Sequence, residues 1–267
     1  MKYRIGEVAR VLGISTDLLR YYEKKGVVAP QKGKYNDYRY YDSWDINFLL
    51  DCLWFKNFGF SLDQISDMVR SYSASDITDM FLAKEEELES TIKRCELLLQ
   101  RSAEHRLGME RIKLLGSCNV EVSPSGACFL NRYGDEYPDT EDLEPYARRW
   151  LELMPYNHRY FELSERALCG EDPSDYRWGY FISDDYIEKL GTKPEPPMIR
   201  LSAVKSLHTV CRSSGKGMFG PRMLSHAVDY AKENGLDFTG PARGTLLASV
   251  CEDGELWGYF EAWIPIE

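Results

Sequence analysis

The stretch from about Asp76 to Leu115 constrains this chain most, because it predicts one uninterrupted helix of about forty residues. It contains no proline, and its only glycine, Gly108, lies near its end. Apolar and small residues recur at alternating steps of four and three, as in a coiled-coil seam, at Leu88, Ile92, Cys95, Leu99, Ser102 and Met109. Such a helix spans roughly 60 Å and needs a partner for its seam. We therefore predict a homodimer formed through residues 76–116, with packing against the same chain as the alternative.

The segments on either side of this helix carry opposite charge. The whole chain has 267 residues and a formal net charge of −10. Residues 1–41 hold nine Lys or Arg against four Asp or Glu, whereas residues 117–267 hold fifteen against twenty-five. A basic head predicts contact with phosphate, and the acidic remainder predicts a different task. We predict three domains, over residues 1–75, 76–116 and 117–267.

The first residues of the chain have the pattern of two short helices joined by a tight turn. A helix over Gly6–Leu12 is predicted to end at Gly13, a residue type that commonly terminates helices. Ser15 or Thr16 can then cap a second helix, over about Asp17–Lys25, because a hydroxyl accepts a backbone N–H of the first turn. This arrangement is the helix-turn-helix, whose second helix enters the major groove of DNA.

The next residues predict a β-wing and two further helices. Residues 32–41 combine turn formers, bases and aromatics without a helical period, which favours a wing lying on the DNA backbone. Residues 44–58 form an amphipathic pattern, and a helix over Leu62–Arg70 follows. Ser61 and Gln64 stand at the spacing of a capping box at its start.

Residues 1 to about 70 resemble the mercury-resistance-regulator (MerR) family of bacterial transcription regulators. The resemblance rests on an ordered set of short motifs, namely residues 5–9 (IGEVA), residues 19–23 (LRYYE), Gly26 with Pro30, and residues 38–41 (YRYY). It implies a homodimer on a pseudo-palindromic promoter with an over-long spacer. It also implies activation by bending and untwisting that double-stranded DNA until RNA polymerase can engage both promoter elements.

By matching position, the resemblance assigns DNA contact to Thr16, Arg20, Tyr21, Tyr38 and Arg39. The two arginines suit phosphate or guanine edges through their fork of donors. Core packing is an equal alternative for Tyr21, and Tyr22 and Tyr40 are predicted to be core residues. The wing departs from the family pattern at residues 34–37 (KYND), where a shorter glycine-rich turn is common.

The residues after the long helix predict an α+β domain with an antiparallel sheet. Eight strand signals occur, at Val120–Val122, Ala127–Arg132, Tyr160–Ala167, Trp178–Ser183, Met198–Val204, Leu207–Cys211, Leu246–Cys251 and Trp257–Ile266. Two helices are predicted, over Glu141–Met154 and Pro221–Asn234. Residues 252–255 (EDGE) predict a hairpin turn between the last two strands.

Residues from about 119 to 267 resemble the effector-binding domain called GyrI-like, which occurs in multidrug-sensing members of the same family. The resemblance rests on Gly220-Pro221, on the helix that ends at Asn234-Gly235, and on residues 257–266 (WGYFEAWIPI). One departure is clear. The strand before the last hairpin often carries a Tyr-Glu pair in that family, but residues 245–248 (TLLA) hold no acid here.

Alternation along the last strand places Trp257, Tyr259, Glu261 and Trp263 on one side. One carboxylate among three rings suits a lipophilic cation, since each ring face attracts positive charge by about 0.5–2 kcal/mol. Further candidates for the same small-molecule site are the aromatic residues Tyr146, Trp150, Tyr160, Trp178 and Tyr180. The alternatives are that these aromatics form the core and that Glu261 is solvent-facing or ion-paired.

Two other functions compete with a cation sensor. Cys118 and Cys128 follow the long helix, where thiolates could bind a soft metal. Some free-standing GyrI-like domains hydrolyse small electrophiles, and Glu261 in an apolar cage could act as a general base. No partner acid, nucleophile or histidine cluster is evident in the sequence, so we predict a protein that is not an enzyme and needs no cofactor.

Hydropathy predicts neither a membrane helix nor a leader segment. No run approaches the roughly 18 apolar residues that a membrane helix needs. The first residues contain a base but no apolar core behind it, unlike a signal peptide. We therefore expect a cytoplasmic protein without a membrane partner.

Overall fold

The computed structural model describes residues 2–33, 38–134, 136, 144–214 and 219–267, which belong to two compact units, residues 1–93 and 94–267. The fold class is α+β, as predicted, with an N-terminal helix-turn-helix, a long helix and a C-terminal antiparallel sheet. The long helix contributes to both units and does not form a separate one. Among the described helices, none combines the length and the apolar character needed to cross a membrane.

The first unit contains four short helices and a small antiparallel sheet within its described residues. The helices are α1 (Ile5–Leu12), α2 (Thr16–Lys24), α3 (Ser43–Asn57) and α4 (Leu62–Arg70), and the strands β1 (Tyr3–Arg4), β2 (Gln31–Lys32) and β3 (Arg39–Tyr41) pair in the order β1-β3-β2. Leu19, Tyr22, Tyr41, Leu49 and Ile65 are fully buried at its centre. The predicted winged helix-turn-helix is therefore present.

Local hydrogen bonds explain where these helices begin and end. Gly13 ends α1 with a left-handed φ of 67°. The Ser15 hydroxyl accepts the backbone N–H of Leu18 at 3.1 Å, which caps α2 as predicted. The capping box of α4 is also confirmed, because Ser61 accepts the Gln64 N–H at 3.3 Å and Gln64 accepts the Ser61 N–H at 2.9 Å.

The long helix α5 covers Ala74–Arg111 and is followed by a 3₁₀ turn over Ile112–Leu114. Its start is fixed by Ser73, whose backbone N–H donates to the Asp76 carboxylate at 2.8 Å. In the first unit, Ile77, Met80 and Phe81 pack against the helix-turn-helix core. The predicted seam points away from the core, and Leu99, the most exposed seam residue, is 73% exposed in the single chain.

The second unit contains an eight-stranded antiparallel sheet within its described residues. Its strands are β4 (Cys118–Val122), β5 (Gly126–Tyr133), β6 (His158–Leu163), β7 (Tyr176–Ser183), β8 (Ile199–Leu201), β9 (Lys205–Ser214), β10 (Ala242–Glu252) and β11 (Glu255–Pro265), in the order β4-β9-β11-β10-β6-β7-β5-β8. Each of the eight predicted strand signals corresponds to one of these strands. The predicted hairpin turn is confirmed, since Asp253 and Gly254 both have positive φ, of 51° and 82°.

Four helices accompany this sheet among the described residues, namely α6 (Glu144–Glu152), α7 (Glu165–Leu168), α8 (Asp184–Leu190) and α9 (Ser225–Asn234). The prediction of a strand reaching Ala167 is wrong, because the Ser164 hydroxyl accepts the Ala167 N–H at 3.1 Å and starts α7 instead. Helix α8 was not predicted. Residues 141–143 of the predicted sixth helix lie outside the described residues, and the predicted helix at Pro221 begins as a 3₁₀ turn.

The sheet has two faces of different character. We call the first the core face; Phe161, Trp178, Phe260, Ala262 and Ile264 of this face pack with the buried side of α9. The opposite face, which we call the α5 face, carries Tyr160, Phe181, Thr245, Glu261 and Trp263. The last turns of α5 reach this second face, where a Cβ built on Gly108 would lie 3.3 Å from Leu247.

Candidate functional site

The first candidate surface lies on α2, the second helix of the helix-turn-helix. Thr16 is its first residue, and Arg20 follows one turn later with an exposed guanidinium that pairs with Asp17 at 2.8 Å. Tyr21 is 45% exposed, so it does not belong to the core, whereas Tyr22 is fully buried. Helix α2 thus presents a hydroxyl, a guanidinium and an aromatic ring, which suits contact with phosphate and base edges.

The other two predicted DNA contacts, Tyr38 and Arg39, lie where the wing strand β3 begins. Tyr38 is exposed, and the guanidinium carbon of Arg4 lies 5.7 Å from the centre of its ring. Arg39 donates from Nε to Glu23 of α2 at 2.5 Å, which ties the wing to that helix. Tyr40 is half-buried, and the wing-tip residues 34–37 lie outside the described residues. Arg4 was not among the predicted DNA contacts. It lies on β1, opposite Tyr40 of the wing strand.

The second candidate site is a cavity of about 550 Å³ within the second unit. It lies between the last turns of α5 and the α5 face of the sheet. Helix α5 contributes Gly108 and Arg111, and the sheet contributes Thr245, Glu261 and Trp263. The cavity is therefore walled by the helix that carries the predicted dimer seam.

Glu261 is the buried carboxylate of this cavity, with 5% of its surface exposed. It accepts a hydrogen bond from the Arg111 guanidinium, and its Oε1 lies 2.8 Å from Nε2 of His208. Burial alone would raise the pKa of Glu261, but the His208 hydrogen bond and the charge of Arg111 hold that pKa below its usual value. Glu261 is thus an ionised carboxylate whose charge is already balanced.

His208 links Glu261 to a second acid. Its Nδ1 lies 3.0 Å from the Asn119 amide oxygen and 3.3 Å from Glu121 Oε1, and Glu121 also accepts the Trp263 indole N–H at 3.1 Å. One donor atom each from Glu121, His208 and Glu261 lie within 4.8 Å of one another. A divalent ion could use these donors only after freeing a ring nitrogen of His208 and competing with Arg111 for Glu261.

Four of the predicted ligand residues lie on the α5 face. They are Tyr160, Trp257, Tyr259 and Glu261. Tyr160 stacks on Phe181 at 5.9 Å and lines a smaller cavity that shares Thr245 and Trp263 with the larger one. Nearer the hairpin, the Tyr259 hydroxyl donates to Glu252 at 2.8 Å, and the Arg212 guanidinium lies 4.2 Å from the centre of the Trp257 ring.

The other four predicted ligand residues lie on the core face or pack against it. Trp178 and Tyr180 are on β7, and Tyr146 and Trp150 are on helix α6. Trp150 is fully buried and stacks on Phe129 and Tyr180, each with ring centres 6.1 Å apart. Trp178 packs against Phe161 at 5.9 Å in a different cluster, and the Tyr146 ring lies 6.5 Å from that of Phe129, beside Trp150. The eight residues therefore do not line one cavity.

Two residues that contact Glu261, Arg111 and His208, escaped the sequence analysis. Arg111 was predicted only to lie within the long helix, and its contact with Glu261 spans 150 positions. His208 directly follows Leu207 on β9. Alternation along this strand places the two side chains on opposite faces of the sheet. No local pattern indicates the Arg111 contact, because it depends on where the helix meets the sheet.

The placement of Cys118 and Cys128 disfavours the soft-metal alternative within a single chain. Cys118 lies on β4 at one edge of the sheet, and five strands separate it from Cys128 on β5. Cys118 packs beside the core face, whereas Cys128 packs with Tyr160 and Phe181 of the α5 face. A metal whose bonds to sulfur are about 2.3 Å long would need both thiols on one side of the sheet. Burial also raises the pKa of both thiols, that of Cys128 to about 12, which disfavours thiolate ligands.

Comparison with known proteins gives a consistent picture for the first part of the chain. Residues 3–72 match the family described as "MerR HTH family regulatory protein". The heavy metal-dependent transcription regulator 2 of Rhizobium meliloti is 28% identical over 162 residues, which cover 58% of this chain and 95% of the relative. An HTH-type transcriptional regulator of Synechocystis is 30% identical over 136 residues, which cover 48% of this chain and 93% of the relative.

The solved EcmrR–DNA complex resembles nearly the whole chain. The similarity covers 99% of this chain and 99% of that one, with 15% sequence identity and a TM-score of 0.37.

Proposed function

Because this chain belongs to the MerR family of helix-turn-helix transcription regulators, we propose that it controls transcription in response to a small cationic ligand held beside Glu261. One observation carries this proposal. A buried carboxylate opens onto a cavity of about 550 Å³ whose wall is the end of the long helix α5. The carboxylate proposed to bind the cation and the helix that leads from the helix-turn-helix therefore meet at this cavity.

The proposed DNA-bound form is a homodimer. Leu88, Ile92 and Leu99 of the seam are exposed in the single chain, although apolar residues at this spacing are normally buried against a second helix. Two copies would present two α2 helices to a pseudo-palindromic promoter, with Thr16, Arg20, Tyr21, Tyr38 and Arg39 as DNA contacts. Promoter distortion would then let RNA polymerase engage both promoter elements.

The proposed ligand is an aromatic or lipophilic cation. Ligand cavities of roughly 300–1,000 Å³ are usual for small molecules, and the cavity beside Glu261 falls in this range. Its lining joins the Glu261 carboxylate to the Trp263 and Phe181 rings and to Leu247. A cation gains from both the charge and the ring faces. This agrees with the GyrI-like resemblance, although the residues on the core face would support the fold and not the ligand.

A screen of wild-type protein and two variants tests this function. Thermal unfolding is measured with lipophilic cations, neutral aromatics and zinc chloride, and the best cation is then added to in vitro transcription from a promoter selected by this protein. We expect a cation to raise the melting temperature and transcription in wild type but not in Glu261→Gln. Glu255→Gln, which alters an exposed acid on the same strand, is the matched control.

Two results would contradict the proposal. A neutral aromatic or zinc that stabilises the protein while every cation fails would exclude a cation sensor. Equal cation binding by wild type and Glu261→Gln would show that this carboxylate does not recognise the ligand.

A further inference from the structure

We propose that Arg111 is an internal cation that occupies Glu261 until an aryl amidine or guanidine effector replaces it. The effector would therefore compete with the last residue of α5 for one carboxylate. This inference rests on the proposed cation-binding function and names its ligand class and its means of regulation.

The burial of the two partners is unequal, and this inequality identifies which of them leaves. The Glu261 side chain is 7% exposed, whereas the Arg111 side chain is 51% exposed. A buried carboxylate without a counter-ion is costly, so Glu261 requires a cation at all times. A half-exposed guanidinium can return to water at little cost. Exchange of Arg111 for another cation is consequently the change that the site permits.

Two other bases near Glu261, Arg101 of the cavity lining and His208, are each held by a further partner. Arg101 donates to the backbone oxygen of Pro155 at 2.7 Å and lies 3.3 Å from His158. His208 uses Nε2 toward Glu261 and Nδ1 toward Asn119. Neither base can move away from its position unless a second contact breaks. Arg111, by contrast, reaches Glu261 from α5, across the cavity.

The group that already fills the site indicates the ligand class. A guanidinium is planar and presents parallel N–H donors to a carboxylate, and amidines share this geometry. The Trp263 ring lies 5.2 Å from that of His208, and Phe181, Leu107 and Leu247 complete an apolar wall. A planar cation attached to an aromatic ring matches both the carboxylate and this wall.

Displacement of Arg111 would act on one particular part of the helix. Earlier in α5, Glu104 accepts the Tyr186 hydroxyl at 2.8 Å, and Arg101 holds the Pro155 carbonyl. Arg111 is the last helical residue before the 3₁₀ turn that leads to β4. Loss of its contact with Glu261 releases this last turn while the earlier contacts stay. A ligand that binds only the released arrangement shifts the equilibrium toward it.

Benzamidine is the probe for the test, and benzamide is its neutral counterpart. Dissociation constants are measured by titration calorimetry on full-length wild type, Arg111→Gln, Arg111→Lys and Glu261→Gln. We expect Arg111→Gln to bind benzamidine more tightly by about fivefold or more, because the competitor is gone. Arg111→Lys should stay near wild type, Glu261→Gln should not bind, and benzamide should bind none of the four.

Transcription without ligand provides a second readout. Arg111→Gln and Glu261→Gln both break the pair, so both should raise ligand-free transcription toward the wild-type level with benzamidine. A carboxylate that only binds ligand would instead leave Glu261→Gln inactive. Arg106→Gln removes an exposed arginine that pairs with Glu110 at 2.6 Å on the same helix, and it should change neither readout. Circular dichroism establishes that each variant is folded.

The outcomes separate this inference from the proposed function. If wild type binds benzamidine through Glu261 but Arg111→Gln binds it no more tightly, competition is wrong and cation sensing stands. Low ligand-free transcription from both folded variants would also overturn the competition. If wild type binds zinc chloride through Glu261 and no organic cation, both proposals are wrong.

Discussion

The Nη2 atom of Arg101 lies 3.3 Å from Nδ1 of His158, so a histidine shares the floor of the α5 face with a buried arginine. Burial, followed by the charge of Arg101, lowers the pKa of His158 from 6.5 to about 4. The unfolded chain therefore takes up a proton between pH 6.5 and 4 that the folded chain does not. Stability from this group is present above pH 6.5 and is lost as the pH falls toward 4.

Replacement of His158 by Gln should remove this loss. Between pH 7 and 4.5, wild type should lose about 2 kcal/mol more unfolding free energy than His158→Gln. Urea unfolding at both pH values measures the difference. If the unfolding free energy of the two proteins changes equally with pH, His158 takes up its proton as readily in the folded state as in the unfolded state.

Variants of Trp178 test whether the residues of the core face are separate from the ligand site on the α5 face. It packs against Phe161, Phe219 and Phe260 on the core face, away from Glu261. Trp178→Ala should destabilise the second unit by about 3–5 kcal/mol, because a large buried ring is removed. Trp178→Phe keeps most of the volume and should bind benzamidine as wild type does. Weaker binding by a stable Trp178→Phe would place this ring in the ligand site.

Gly179 allows the close approach of β5 and β7. A Cβ built at this position would lie 1.8 Å from the backbone oxygen of Phe129. Because backbone atoms cannot move aside, Gly179→Ala should cost about 3 kcal/mol or more in unfolding free energy. Gly240→Ala is the control, since its added carbon would meet Pro265 at an ordinary 3.5 Å. Chemical unfolding with similar midpoints for both variants would contradict this packing.

The capping box at α4 supplies a prediction for the first unit. Ser61→Ala removes the acceptor for the Gln64 N–H and should destabilise this unit by about 1 kcal/mol. Ser75→Ala changes an exposed serine inside α5 and should have a smaller effect. Thermal unfolding monitored by circular dichroism compares the two, and a larger loss in Ser75→Ala would show that the cap is unimportant.

Arg20 gives the prediction for DNA. If its exposed guanidinium contacts the promoter, Arg20→Ala should weaken binding by about 1–3 kcal/mol, or roughly five- to 150-fold. Fluorescence anisotropy with a DNA fragment selected by wild type measures the affinity. Arg166→Ala removes an exposed arginine of the second unit and serves as the control. Unchanged affinity of Arg20→Ala would remove this residue from the DNA surface.

Local sequence patterns predicted the elements whose ends are marked by residues only a few positions apart. Gly13, Ser15 and the Ser61–Gln64 pair marked helix ends, and Asp253-Gly254 marked the last hairpin. Helix α8 was missed because seven residues are too few to show a helical period, although Ser183 before it and Gly191 after it were available signals.

The candidate site was predicted only in part, for a physical reason. Alternation along β11 placed Glu261 on the opposite face from Phe260, which the structure bears out. It could not assign the rings of other elements to a face, so Trp178 of β7 and Trp150 of helix α6 were grouped with Glu261. Face assignment between strands depends on register, which is set by tertiary packing and not by composition.

The alternation of β11 has a practical consequence for protein engineering. Residues at odd positions of this strand face α5, and those at even positions hold the core. A library that varies Thr245 and Leu247 of β10 and Trp263 of β11 while retaining Phe260 and Ala262 would leave the core face unchanged. If the cavity binds the effector as proposed, selection from such a library would yield reporter proteins that respond to new inducers.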